Sequence, residues 1–190
     1  MPLSKFSFDP QSLPVDAIAG EAALGHERML EDWLRQRFAA PPEWKPETAE
    51  ESLAARSDMT AASVLVPLVR RPDGLHLLLT RRTDHLTSHA GQISFPGGRA
   101  EAEDSDAIDT ALRETEEEIG LARSRIDVIG LLPEYVTSSG YQVTPVVGLV
   151  HPPFDLKPDP NEVADVFEVP LAFLMDGMNH QRLSVELPEG

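Results

Sequence analysis

A cluster of carboxylates occupies one short stretch of the sequence, Arg113-Glu114-Thr115-Glu116-Glu117-Glu118. On a helix that advances about 100° per residue, Glu117 and Glu118 fall roughly 60° and 40° to either side of Glu114, so the three share one face. Like charges this close repel one another, and a helix that collects them needs a compensating cation. Because oxygen ligands are typical of Mg²⁺ or Mn²⁺ sites, we predict that Glu114, Glu117 and Glu118 bind such a metal.

The surroundings of this run distinguish it from an ordinary solvated helix face, which is the usual fate of charged runs. Arg113 lies one turn before Glu117 and is placed to hold a carboxylate by a two-pronged ion pair, a structural role. Gly97 and Gly98 precede the helix and permit close approach of the backbone. Further phosphate-binding candidates come before these glycines: Arg81, Arg82 and His89. Together these residues predict a site for phosphate and metal.

The elements that must position these residues are predicted from hydrophobic patterns and turn residues. Two apolar runs, Ser63–Val69 and Leu75–Thr80, are joined by the turn Arg71-Pro72-Asp73-Gly74 and predict a β-hairpin. Asp104 or Ser105 is placed to cap a helix that continues to Ile119 and ends at Gly120, a structural glycine. The other predicted elements are a loop from Arg81 to Gly91, a short strand over Gln92–Phe95 broken by Pro96-Gly97-Gly98, strands near Ile126–Leu132 and Val143–Val150, and a helix near Leu171–Met175. This order predicts a mixed α/β layered domain.

The first 60 residues differ from the rest in composition. They contain an Ala-rich stretch over Val15–Phe38, for which we predict a helix, then a Pro-rich connector and a second short helix candidate. We therefore divide the chain into an N-terminal helical accessory segment, residues 1–60, and a main domain, residues 61–190, that contains the carboxylate run. At 190 residues and 41% hydrophobic composition, one compact domain overall is expected.

Charge and composition limit the partners. The formal net charge of −16 is unfavourable for bulk binding of nucleic acids or anionic membranes, so we expect neither as a partner. The absence of cysteine excludes disulfides and thiolate chemistry. The N-terminus lacks the pattern of a signal peptide, and we expect a cytoplasmic protein. The expected partner is a small molecule that carries phosphates, and a homodimer is left open.

The span from Gly97 or Gly98 through Arg113-Glu114-Thr115-Glu116-Glu117-Glu118-Ile119-Gly120-Leu121 resembles the Nudix box, the loop-helix-loop signature of hydrolases that cleave nucleoside diphosphates linked to another moiety. The second half matches at every defining position. In the first half the spacing from Gly98 to Arg113 is one residue longer than the general pattern, and Asp104 or Ser105 replaces the usual Glu. The resemblance implies a Nudix-like α/β/α sandwich with a mixed sheet.

Upstream, Leu78-Leu79-Thr80-Arg81-Arg82-Thr83 and Gly91-Gln92-Ile93-Ser94-Phe95-Pro96-Gly97-Gly98 are similar to a second signature, that of the coenzyme A pyrophosphatase branch. Thr83 and Thr87 depart from it. The branch implies hydrolysis of coenzyme A to 3′,5′-ADP and 4′-phosphopantetheine. Its chains usually continue past the position of Gly190, which leaves a truncated chain or a shortened relative as the expectation.

Hydrolysis of a diphosphate requires charge neutralisation and an activated water, which a bound metal supplies. Glu114 and Glu162 are the candidates for a general base. Glu162 has an alternative role, capping of the following segment. Glu117 is counted among the catalytic residues as a metal ligand. Three rival functions remain: a Nudix hydrolase of ADP-ribose or a dinucleotide, a non-catalytic nucleotide-binding Nudix module, and a partner-binding protein with an acidic face.

Overall fold

The computed structural model describes residues 13–43, 59–84, 90–137 and 139–184. The strands are β1 (Val15–Ile18), β2 (Thr60–Arg71), β3 (Gly74–Arg82), β4 (Ile93–Ser94), β5 (Gly97–Arg99), β6 (Ile126–Leu131), β7 (Tyr135–Val136), β8 (Tyr141–Val150), β9 (Val163–Pro170) and β10 (Gln181–Leu183). The helices are α1 (Glu31–Ala39), α2 (Ala107–Ile119) and α3 (Leu171–Leu174), with short 3₁₀ turns at His26–Met29, Arg123–Arg125 and Gly177–Asn179. Within these ranges no helix has the length and apolar character needed to cross a bilayer.

The long strand β2 is the centre of the sheet. Along one edge it pairs in parallel with β8, from Thr60 opposite Tyr141 to Val69 opposite Val150. Its other edge is divided, because the second half pairs with β3 in the predicted hairpin and the first half pairs with β5. Beyond its pairing with β2, β3 pairs with the short strand β4. β9 pairs with β3 along its other edge. The sheet therefore forks between β3 and β5, and the chain from β4 to β5 bridges this fork.

Helices cover both faces of the sheet. On one face, Leu65 of β2 packs with Ala111 of α2 and with Val146 of β8. On the other face, Leu68 packs in a cluster with residues of α1 and α3, including Leu171. Full burial of one such leucine contributes roughly 1.5–3 kcal/mol. The predicted α/β/α sandwich with a mixed sheet is confirmed.

The N-terminal segment differs from its prediction. The predicted helix over residues 15–38 is wrong in its first half, because Val15–Ile18 forms β1 and pairs with β10, and α1 begins only at Glu31. Gly20, with φ of +75°, lies in a conformation that a helix does not contain. The connector's Trp44 and the second helix candidate lie outside the described residues.

Long-range pairing also changes three predictions in the domain. Arg81 and Arg82 belong to β3 and not to a loop, and Gly97–Arg99 forms a strand on β2 where a break was predicted. Val163–Pro170, which was not predicted, pairs along β3 as β9. In each case the partner strand is distant in sequence or separated by a turn, so that local patterns carry little of the signal.

Candidate active site

Helix α2 positions the predicted metal ligands, and its ends are set by local hydrogen bonds. The Asp106 side chain accepts a hydrogen bond from the Asp109 amide at 2.8 Å and caps the N-terminus, so the predicted caps, Asp104 and Ser105, are wrong. Gly120 ends the helix with φ of +70°, in the left-handed conformation predicted for it. The adjoining face of the helix carries the buried residues Ala111, Thr115 and Ile119, which fix the rotation of α2 against the sheet.

Arg113 is the hub of the site, and all five of its N–H groups donate hydrogen bonds. Nε and Nη2 form a bidentate pair with the Asp104 carboxylate at 2.8 and 2.9 Å. Nη1 donates to Glu114 and to Glu117, both at 3.0 Å, and the second Nη2 hydrogen donates to the Arg99 carbonyl at 3.1 Å. These bonds raise the pKa of Arg113, chiefly through Asp104. The guanidinium has no donor left over, and only arginine supplies this planar fork.

Asp104 is one of the two residues, with Ser105, that the sequence offered both as a helix cap and in place of the usual Glu of the box. Its carboxylate accepts bonds from Arg113, from the Glu101 amide at 2.9 Å and from the Thr110 hydroxyl at 2.9 Å. The Arg113 guanidinium, followed by the Glu101 amide, holds the pKa of Asp104 well below its usual range. The upstream acid of the box is therefore Asp104, which orients Arg113. A carboxylate in the loop shortly before the helix was the available sequence signal.

Glu118 is a buried carboxylate at the C-terminal end of α2. Its exposed fraction is 6%, and one oxygen accepts a hydrogen bond from the Gly97 amide at 3.0 Å. Arg82 Nη1 lies 3.8 Å from the other oxygen. Burial raises the pKa of Glu118 to about 7, and the charges of Glu162 and Glu114 add to the shift. The negative charge of ionised Glu118 is therefore only partly neutralised by the Gly97 amide and Arg82.

Glu114 lies against Gly98 at the same place. A Cβ atom built on Gly98 would lie 2.5 Å from the Glu114 carboxyl carbon, so no other residue fits here without displacing that carboxylate. Burial raises the pKa of Glu114, Arg113 opposes the shift, and the charges of Glu117 and Glu162 add to it. Gly98 therefore provides the space that the Glu114 carboxylate occupies.

Glu162 joins the cluster from a different part of the chain. It lies in the turn before β9, where its carbonyl accepts a hydrogen bond from the Thr83 amide at 3.0 Å. Its charge acts on both Glu114 and Glu118 and contributes to the raised pKa of each. The following segment is a strand, so the alternative role of Glu162 as a helix cap does not apply.

The remaining predicted residues divide by position. Gly97 has φ of +153°, and a Cβ there would lie 2.4 Å from the Ser63 carbonyl oxygen, so this glycine is required by the backbone. Arg82 faces α2, and within the described ranges its buried Nε atom has no hydrogen-bond acceptor. Arg81, the next residue along the strand, lies on the other face, with Asp84 3.8 Å away. His89 lies outside the described residues.

The donor set fits a hard divalent cation, although the described ranges contain no ready-made group of three such side chains in metal-binding arrangement. Arg113 draws oxygens of Glu114 and Glu117 to itself, and Glu117 is 60% exposed. The chemistry of the set is nevertheless oxygen-only, and Glu118 is buried with too little positive charge nearby. The space at Gly98 and the carboxylates on both sides of it are where a cation would be bound.

Comparisons with known proteins agree with this geometry. Residues 59–185 match the model of the NUDIX domain. The chain is similar to proteins named uncharacterized Nudix hydrolase NudL: it is 53% identical over 110 residues to that of Yersinia enterocolitica (58% of this chain, 56% of the relative) and 46% identical over 144 residues to that of Shigella sonnei (76% and 70%). The chain thus spans between about half and about two thirds of the length of these relatives.

The fold is similar to that of solved structures at lower identity. A crystal structure of a binary complex of the Ap4A hydrolase of C. elegans superposes with a TM-score of 0.51 at 18% identity, covering 60% of this chain and 84% of that one. This similarity concerns the fold alone. With the sandwich, the glycine-bounded carboxylates of α2 and the match over residues 59–185 in place, the chain belongs to the Nudix family.

Proposed function

We propose that this protein is a divalent-metal-dependent hydrolase of the diphosphate bond in coenzyme A or its derivatives, releasing 3′,5′-ADP and 4′-phosphopantetheine. The observation that carries the proposal is the position of Glu114 against Gly98 and of the buried Glu118 on the Gly97 amide, with the charge of Glu162 acting on both. Family membership supports the bond type, and the similarity of residues 78–98 to the coenzyme A signature supports the substrate.

The carboxylates would hold the cation, with Glu114, Glu117 and Glu118 as ligands. Bound Mg²⁺ or Mn²⁺ supplies charge neutralisation at the phosphate oxygens and lowers the pKa of water. Arg113 and Asp104 contribute by orientation: their bidentate pair fixes the position from which Glu114 and Glu117 project. The Gly97 amide does the same for Glu118.

The substrate's diphosphate would lie between this cluster and Arg82. Arg82 has a buried Nε without an acceptor in the described ranges and lies 3.8 Å from Glu118, so a phosphate oxygen there would satisfy the orphan donor. Gly97 and Gly98 leave their backbone accessible to the same phosphates. Arg81 and His89 stay as predicted substrate contacts.

The water that attacks phosphorus must lose a proton, and Glu162 is our preferred acceptor. It is exposed, accepts no side-chain hydrogen bond among the described residues that would orient it elsewhere, and its charge acts on both Glu114 and Glu118. Glu114 is the alternative, although its oxygen already accepts a bond from Arg113.

The test is incubation of the purified protein with coenzyme A, ADP-ribose and a dinucleoside polyphosphate, with and without Mg²⁺ or Mn²⁺, followed by chromatography of the products. We expect metal-dependent release of 3′,5′-ADP and 4′-phosphopantetheine that is lost in Glu114→Gln. The matched control is Glu116→Gln, which removes the same charge from the same helix at a residue that faces Arg123.

Cleavage of ADP-ribose or of the dinucleotide alone would retain the bond type and reject coenzyme A as the substrate. Absence of cleavage with every compound and both metals, in protein whose circular dichroism shows a folded chain, would favour a nucleotide-binding role instead. Equal loss in the Glu116→Gln control would show that the helix, and not the cluster, had been damaged.

A further inference from the structure

Arg99 lies on the same short strand, β5, as Gly97 and Gly98. Arg99 follows Gly98 in β5, and its carbonyl accepts a bond from Arg113 at 3.1 Å. Gly98 faces Glu114 of α2, and side chains alternate along a strand, so the Arg99 side chain leaves β5 on the opposite face. The backbone of Arg99 is thus held by Arg113, while its guanidinium lies on the face of the strand opposite to Glu114.

The Arg99 side chain is held there by Tyr141. Arg99 pairs with Ala62, and Tyr141 pairs with Thr60 on the other edge of β2, so the two side chains share one face of the sheet. Arg99 Nη2 donates to the Tyr141 hydroxyl at 3.2 Å, and the guanidinium carbon lies 5.9 Å from the ring centroid. The small side chain of Ala62 lets them meet across the strand.

The charge of Arg99 is not neutralised by a carboxylate. In the described ranges, no Asp or Glu oxygen lies within ion-pair distance of it. Arg81 and Arg82 each lie 3.8 Å from an acid, and Arg113 is fully occupied. A guanidinium that is fixed in position, exposed and unpaired, in a chain of net charge −16, is suited to bind an anion from outside the protein.

We propose that Arg99, positioned by Tyr141, binds the ribose 3′-phosphate of the coenzyme A nucleotide; this rests on the proposed function. The diphosphate and the 3′-phosphate of that nucleotide are joined through a single ribose. Gly98 and Arg99 are consecutive residues of β5: Gly98 faces Glu114, and the Arg99 side chain lies on the opposite face of the strand. With the diphosphate at Glu114 and Gly98, the nucleotide crosses the edge of β5 that does not pair with β2, and its 3′-phosphate reaches the face that carries Arg99.

The test compares coenzyme A with 3′-dephospho-coenzyme A, which differs by this phosphate alone. For each enzyme variant, kcat/KM is measured on both substrates with Mg²⁺. In Arg99→Gln we expect the ratio of kcat/KM for coenzyme A to that for dephospho-coenzyme A to fall roughly ten- to hundredfold, mainly through KM, the scale of a lost charged hydrogen bond. Tyr141→Phe should shift the ratio in the same direction by a smaller factor.

Two further variants give the proposal its controls. Arg125→Gln removes the same charge at an exposed position next to β6 and should leave the ratio at its wild-type value. Arg81→Gln tests a second arginine on this sheet face. The proposal is overturned if the ratio is unchanged in Arg99→Gln, or if it falls in Arg81→Gln or Arg125→Gln and not in Arg99→Gln.

A binding measurement separates this proposal from the proposed function. Calorimetric titration of the wild type and of Arg99→Gln with 3′,5′-ADP and with 5′-AMP needs no turnover. Tighter binding of 3′,5′-ADP by the wild type, lost in Arg99→Gln, supports the phosphate site even if coenzyme A is not cleaved. Equal affinity of the wild type for the two nucleotides overturns the phosphate site even if coenzyme A is cleaved.

Discussion

The two ends of strand β2 carry opposite kinds of charge network. At the hairpin end, three arginines meet three acids in ion pairs: Arg35, Arg70 and Arg71 with Glu31, Asp127 and Glu168. At the β5 end, Arg82 and Arg113 form ion pairs with four acids, Asp104, Glu114, Glu117 and Glu118, and the charge of Glu162 acts on the same cluster. The first network is balanced, whereas the second has a surplus of negative charge.

The difference separates charges that serve the fold from charges that serve a ligand. Balanced, partly exposed pairs contribute modestly to stability and need nothing further. A surplus of carboxylates, one of them buried, costs stability until a cation or a proton arrives. Removing an acid should therefore have opposite consequences at the two ends of β2.

The largest expected effect is that of Glu118→Gln. Loss of this ligand should lower kcat roughly 10²–10³-fold, the scale for removal of one preorganised electrostatic group. In metal-free protein at pH 8, the same change should raise Tm by several degrees, because it removes a buried charge that Glu114 and Glu162 repel. If calorimetry shows a lower Tm for Glu118→Gln than for the wild type, the surplus of negative charge at the β5 end is contradicted.

Next in size is Gly98→Ala. The new methyl group meets the end of the flexible Glu114 side chain, which must move, so activity should fall by up to roughly a hundredfold with little change in Tm. Gly97→Ala is the matched control, since there the methyl group meets the Ser63 backbone at positive φ and should cost roughly 1–3 kcal/mol of stability. If both variants lose stability alike, Gly98 is a backbone requirement and not a space for Glu114.

Arg113→Lys should lower kcat roughly 10- to 100-fold, the scale for partners that orient metal ligands. A lysine cannot reproduce the five hydrogen bonds of the guanidinium fork, so Asp104 loses its bidentate partner and Glu114 its orientation. Steady-state kinetics with variable Mg²⁺ would check this. Retention of wild-type kcat at saturating metal would show that Arg113 contributes charge alone.

The pH dependence of stability should also differ between the ends. The pKa of Glu118 is raised from 4.5 to about 7, so the folded protein binds more protons than the unfolded chain between these values. This contribution is present in full below pH 4.5 and is lost as the pH rises to about 7, by roughly 2–3 kcal/mol. The difference in unfolding free energy between metal-free wild type and Glu118→Gln, measured by urea titration at several pH values, isolates this effect. A flat difference would refute it.

The smallest effect is expected at the hairpin end. Glu168→Gln removes the partner of Arg71, with which it forms bonds of 2.9 and 2.5 Å, and should destabilise the fold by about 0.5–1 kcal/mol because both groups are partly exposed. Activity should stay at the wild-type level. A loss of activity comparable to that of Glu118→Gln would remove the distinction between the two networks.

The sequence alone predicts the local parts of this molecule well. The hairpin, α2, the Gly120 helix end and the face shared by Glu114, Glu117 and Glu118 follow from turn residues and helical periodicity, which act over a few residues. Neither β9 nor β5 was predicted, because their pairing with β3 and β2 depends on contacts remote in the chain. The roles of Asp104 and Glu162 were underdetermined for the same reason: which acid reaches Arg113 or Glu118 is decided by how loops are folded back on the helix.

The hydrogen bonds between Asp104 and Arg113 depend on two lengths together. One is the length of the loop before α2, and the other is the length of the acidic side chain. Relative to the general Nudix pattern, this chain has one residue more between Gly98 and Arg113 and an acid one methylene shorter. Deletion of one loop residue would draw the carboxylate away from the guanidinium, and exchange of Asp104 for glutamate would push it too far. Only the two changes made together preserve the contact, so insertions in this loop and replacements of its acid are expected to arise as compensating pairs.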